Sequence, residues 1–150
     1  MGESNACMKR IVAAPTAGAC GVVPAVYLTL QEQRQIDDER MLEAMYIASG
    51  VGGVIANRAF LAGAAGGCQA EIGSASSMAA AGAVYLAGGD TEAIIHAAAM
   101  AMKNLLGLAC DPVAGLVEVP CVKRNVVGAV NALSAADMAL AGVRSIIPPD

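Results

Sequence analysis

The chain has 150 residues, 57% of them apolar and 15% charged, against about 25% charged in an ordinary soluble domain. That composition excludes a disordered polar chain and sets the scale at one domain. Nine Lys and Arg against thirteen Asp and Glu give a net charge of −4. With no basic run and no set of stacking aromatics, nucleic-acid binding by electrostatics is excluded.

A mean hydropathy of +0.59 raises the question of a membrane span. The uncharged stretch 11–31 has the length to cross a bilayer, about 20 residues. Pro15, Pro24, Gly18 and Gly21 break it, so it reads as loop followed by helix. Residues 72–89 are uncharged but made of Ala, Ser and Gly, which gain little from lipid. No basic leader with an apolar core marks a secretory signal. Closely packed core helices explain the hydropathy better, and no membrane association is expected.

Taken in order, residues 2–21 read as an irregular, glycine-containing lead-in. Helical patterning predicts a first helix over about 23–35. Asp37 opens a second, with Asp38 and Glu39 at its positive end, running to Ser49 where Gly50, Gly52 and Gly53 interrupt. A third covers about 54–64 and is closed by Gly66 and Gly67. Ser74 can cap an Ala-rich helix to Leu86, stopped by Gly88 and Gly89. Asp90 can cap the next, 91–106, closed by Gly107. Residues 108–124, with Pro112, Gly115 and Pro120, read as loop. A last helix is predicted over about 126–141, and both chain ends look cut. Period-two strand patterning is nearly absent. The expected fold is all-α: one compact domain, residues 1–150, of about six helices joined by Gly/Pro-rich loops.

Five cysteines (Cys7, Cys20, Cys68, Cys110 and Cys121) without a secretory signal argue against a disulfide framework and for a reducing, cytoplasmic compartment. Cys68, Cys110 and Cys121 each lie in a turn beside Gly or Pro. Their spacing is neither a zinc-finger nor a compact ferredoxin pattern, and free cysteines also serve as small core residues. Three thiolates would hold a [4Fe–4S] cube with one iron left open as a Lewis acid. Zinc would need a fourth ligand, for which Glu71 and His96 are candidates.

His96 is the sole histidine, mid-helix among alanines, and is either a packed helix residue or an acid, base or substrate contact. Lys103 lies two turns on along the same face and is a candidate for the same work or a solvated helix-end charge. Asn104 is a candidate substrate contact beside it. The stretch 15–21 is not a phosphate loop, since no Gly-Lys-Ser/Thr follows. A backbone nest or a tight turn at Gly18, placed to touch a carboxylate, is the better reading, with Ser4, Asn5 and Thr16 as candidates to add hydrogen bonds. No nucleophile-elbow or cysteine-protease context supports a Cys–His pair.

Several segments together resemble one family. They include Ser4-Asn5-Ala6, Ala14-Pro15-Thr16-Ala17-Gly18-Ala19-Cys20-Gly21 and Cys68-Gln69-Ala70-Glu71-Ile72-Gly73. The longest is Cys110-Asp111-Pro112-Val113-Ala114-Gly115-Leu116-Val117-Glu118-Val119-Pro120-Cys121, and Lys103-Asn104-Leu105-Leu106-Gly107 and Asn131-Ala132 extend the set. They are similar to the alpha chain of iron–sulfur L-serine dehydratases over essentially the whole chain. The resemblance implies a helical domain with an oxygen-sensitive [4Fe–4S] cluster on Cys68, Cys110 and Cys121, and Cys7 and Cys20 as bystanders. It implies conversion of L-serine to pyruvate and ammonia, the open iron acting on the substrate hydroxyl. It also implies a longer alpha chain, a beta chain or beta domain that completes the enzyme, and a homo- or hetero-oligomer. The alternatives are a related iron–sulfur cysteine desulfidase and a non-catalytic helical domain that binds a partner.

Overall fold

The computed structural model describes residues 1–114 and 118–149, and no strand occurs among them. In chain order the helices are α1 (Gly2–Ala6), α2 (Val22–Arg34), α3 (Asp38–Arg58), α4 (Gly63–Cys68), a π-turn (Gln69–Gly73), α5 (Ser74–Leu86), α6 (Thr91–Asn104) and α7 (Glu118–Leu140). The all-α expectation holds. The two aspartate caps sit where the sequence puts them. Asp37 accepts from the Arg40 amide at 2.8 Å to open α3, and Asp90 from the Ala93 amide at 2.8 Å to open α6; each satisfies an amide that the first helical turn leaves without a partner.

The organising element is α5. Twelve of its thirteen residues are buried, because α2, α3, α6 and α7 all pack against it. Small residues are what such a position needs, since every neighbour must approach closely. Gly82 leaves room for the Tyr27 ring, whose hydroxyl donates to the Ala44 and Met78 carbonyls at 3.3 and 3.2 Å. The buried serine hydroxyls mostly find carbonyls on neighbouring helices: Ser76 donates to Gly128 and Ser77 to Ala98, both at 2.9 Å. The apolar composition thus serves a helix enclosed by helices. No single described helix is long and apolar enough to cross a membrane; the α3 stretch with Gly63–Leu86 passes that test only as a pair bent by 82°.

Five sequence expectations give way. The separate helix expected over 54–64 does not form: its first half is the end of α3, residues 59–62 are non-helical, and α4 begins at Gly63 and passes through Gly66 and Gly67. The glycines at 50–53 do not split α3, which runs unbroken through them. Each interior glycine costs about 0.5–1 kcal/mol relative to alanine, and burial of Met41, Ala44 and Ala48 against α5 offsets that. Ser74 does not cap α5: the π-turn feeds straight into the helix, and the Ser74 hydroxyl is buried without a partner. Residues 2–6, read as irregular, form the short α1. Finally, α7 starts at Glu118, two turns before the predicted start. Pro120 is tolerated there because a first-turn residue has no intrahelical N–H bond to lose. Gly115, assigned to the preceding loop, lies outside the described residues.

Candidate functional site

Cys68 ends α4 immediately after a break at Gly67, whose φ of 66° is open to glycine and strained for other residues. A Cβ at Gly67 would lie 3.2 Å from the Leu108 carbonyl and 3.4 Å from the Cys110 amide nitrogen. The two backbones therefore touch, and the Gln69 amide donates to the Leu108 carbonyl at 2.9 Å. That contact sets the segment carrying Cys110 beside Cys68. Cys68 is buried, Cys110 exposed and Cys121 half-buried.

Cys121 enters from α7, and Arg124, one turn on, connects it to the other two. A single guanidinium nitrogen of Arg124, Nη1, lies 2.8 Å from the Cys68 sulfur, 2.9 Å from the Ala109 carbonyl oxygen and 2.6 Å from Asp111 Oδ1. Burial pushes the Cys121 thiol up to about 11, and the nearby Cys68, Glu71 and Cys110 charges push in the same direction against Arg124. The three thiols therefore share one electrostatic neighbourhood. Among the described residues no three His, Cys, Asp or Glu side chains are arranged to hold a single metal ion. A cubane cluster asks for something different, because its ligands bind separate corners rather than converge on a point. Cys68 at the Arg124 cation, the Cys110 segment held against it by a backbone contact and Cys121 one turn from Arg124 make a thiol set whose chemistry suits such a group.

Beside Cys121 lies a cavity of about 240 Å³, lined in part by Asn5, Gly18, Glu71 and Asn125. The Glu71 carboxylate is cradled between two glycines: a Cβ at Gly18 or Gly63 would come within 2.6 or 2.7 Å of Oε2. Asn125, 6% exposed, sews the 15–21 loop onto α7. Its Nδ2 donates to the Gly18 carbonyl at 2.8 Å and to the Cys121 carbonyl at 2.7 Å, and its Oδ1 accepts from the Gly21 amide at 2.8 Å. Asn5 Nδ2 donates to the Ala17 carbonyl at 3.1 Å, and Thr16 Oγ1 is buried with no partner. Asn5 and Gly18 thus line one cavity with Cys121, and Thr16 does not border it. Ser4 contributes a backbone carbonyl to the Lys9 amide and does not line the cavity.

His96, Lys103 and Asn104 lie elsewhere. His96 Nδ1 accepts from the Ser145 amide at 3.3 Å, and Nε2 is 3.7 Å from Glu92. Lys103 borders a second, largely apolar cavity of about 470 Å³ between α3, α6 and residues 147–149. Asn104 Nδ2 donates to Asn131 Oδ1 at 3.0 Å. Sequence reasoning missed Arg124 and Asn125. Both sit one turn from Cys121 on α7, a relation invisible while 108–124 read as loop.

The chain is similar throughout to a known group of proteins: the family model described as serine dehydratase alpha chain matches residues 1–150. It is 57% identical over 148 residues to a probable L-serine dehydratase alpha chain of Latilactobacillus sakei, covering 99% of this chain and 71% of that one. A probable L-serine dehydratase alpha chain of Bacillus subtilis (strain 168) is also 57% identical over 148 residues, with 49% of its length covered. The L-serine dehydratase alpha chain of Peptoniphilus asaccharolyticus is 50% identical over 148 residues, with 51% covered. The chain therefore spans about half the length of the last two relatives.

Proposed function

The chain belongs to the serine dehydratase alpha chain family, and on that premise we propose that it carries the thiol site of an enzyme converting L-serine to pyruvate and ammonia. Cys68, Cys110 and Cys121 hold a [4Fe–4S] cluster in this reading. The observation that carries it is the Arg124 guanidinium, which meets the Cys68 sulfur and both neighbours of Cys110 one turn from Cys121. When bound, such a cluster supplies a Lewis acid for the departure of a hydroxyl group.

The chain's own part is to bind and orient. The cavity beside Cys121 has room for a three-carbon amino acid and offers it one anionic side chain and neutral hydrogen-bond donors. The Glu71 carboxylate faces the substrate ammonium. The second N–H of the Asn5 amide and the backbone at Gly18 receive the carboxylate. Asn125 fixes the loop that presents them. Loss of water from serine leaves aminoacrylate, which tautomerises and hydrolyses to pyruvate and ammonia without further help. His96, Lys103, Asn104 and Ser4 border neither the thiols nor this cavity, and the proposal gives them no step. The alpha-chain naming of the relatives supports a beta chain or beta region as the partner that completes the enzyme.

Anaerobic reconstitution of the complete enzyme with iron and sulfide tests the reading. A broad absorption band near about 400 nm, characteristic of such clusters, is expected and should be lost in Cys110→Ser. Pyruvate released from L-serine supports the activity. A protein that binds no iron, or that releases sulfide from L-cysteine and no pyruvate from serine, would overturn it.

A further inference from the structure

Arg124 is half-buried, its side chain 18% exposed, so its charge has given up part of its water. Such a charge is steadied by local partners, yet only one of its contacts, Asp111, is a carboxylate. The others are the Ala109 carbonyl and the sulfur of Cys68. A neutral thiol is a weak acceptor and a thiolate a strong one, so the placement suits a site meant to carry negative charge on sulfur. All three contacts fall on one nitrogen, and they join two segments: the end of α4, and residues 109–111 on either side of Cys110.

Resting on the cluster reading above, we propose that Arg124 is a positioning residue of the three-thiol site. It seats the segment carrying Cys110 against Cys68, and its hydrogen bond to a ligand sulfur sets the reduction potential of the cluster held there. The seating role concerns the protein without iron as much as with it. The tuning role follows from electrostatics: a cation donating to a ligand sulfur favours the reduced, more negative cluster, and hydrogen bonds to sulfur are among the levers on cluster potential.

The test uses the full-length enzyme with its partner chain, comparing wild type with Arg124→Gln, Arg124→Lys and the exposed change Asp111→Asn. In the metal-free proteins, hydrogen exchange is followed at the Gln69 amide and over 108–111. Arg124→Gln should speed it about tenfold, the scale of losing one charge-assisted hydrogen bond, Asp111→Asn less, and Arg124→Lys should restore most of the protection. In the iron-loaded proteins the midpoint potential should move negative in Arg124→Gln and return towards wild type in Arg124→Lys. Should Arg124→Gln not fold, Asp111→Asn still tests both roles: a smaller rise in exchange reads the seating, and a positive shift in potential, expected when Nη1 is freed from a carboxylate for the sulfur, reads the tuning. Unchanged exchange overturns the seating role, and an unchanged potential overturns the tuning role. If the wild type takes up no iron, the cluster reading and the tuning role fall together, while the exchange arm still decides the seating.

Discussion

Tyr27 illustrates how single side chains are held in this protein. The residue is 3% exposed, and burial lifts its phenol above the ordinary value, with a backbone hydrogen bond at Gly82 opposing. The unfolded chain therefore ionises first, near the usual phenol range of about 10. The stabilisation is complete below that pH and is lost progressively as pH rises through the folded value. Tyr27→Phe should lower stability at neutral pH by about 1 kcal/mol, the net worth of a buried hydrogen bond. It should also flatten the alkaline fall-off that the wild type displays. Denaturant titrations at pH 7 and at stepped alkaline pH measure both. An unchanged alkaline slope would mean that another group governs it.

Among the elements, α3 separates two roles of glycine. Gly50 and Gly53 are exposed, and a Cβ at either meets nothing within 4 Å, whereas at Gly52 it would lie 2.9 Å from the Met78 sulfur. Gly50→Ala and Gly53→Ala should each raise stability by about 0.5–1 kcal/mol, through helix propensity and a less free unfolded chain. Gly52→Ala should gain less or lose. Thermal melts of the three variants rank them, and a Gly52→Ala protein as stable as the other two would contradict the packing described. The same helix marks what was legible in the sequence. Capping aspartates act through neighbours in the chain, so the starts of α3 and α6 could be read from it. Glycines in the middle of α3 spoke for a break, and only α5, remote in sequence, outweighs them. The early start of α7 was hidden in the same way, because Pro120 reads as a breaker unless the first turn is known to lie there. With that turn went the helical spacing that unites Cys121 with Arg124 and Asn125. The three candidate thiols were named from family motifs, and spacing alone left them indistinguishable from core cysteines.

For the molecule as a whole, Asn125 ties chain segments more than a hundred positions apart: its bonds reach Gly18 and Gly21 from α7. Asn125→Ala removes three hydrogen bonds and leaves the Gly21 amide and Gly18 carbonyl without that partner. Each such group costs about 1–3 kcal/mol when buried unpaired, so a loss of about 3 kcal/mol is expected. Chemical denaturation gives the total, and exchange at the Gly21 amide should report loosening at the cavity. A loss under about 0.5 kcal/mol, the level of an ordinary surface change, would place the loop's anchorage elsewhere.

The contact of Gly67 with Leu108 and Cys110 also bears on the order in which the site can assemble. The short 87–90 connection lets α6 fold back along α5, which returns its far end to the start of the π-turn, where Gly67 waits. Two of the three thiols are thus joined by closing one local αα-hairpin, a low-contact-order step of the kind that forms fast. The third arrives only when α7 docks and also gathers in the N-terminal loop through Asn125. A three-thiol site in this chain is therefore a product of the finished fold, with two thiols delivered by topology near at hand and the last by the closing helix.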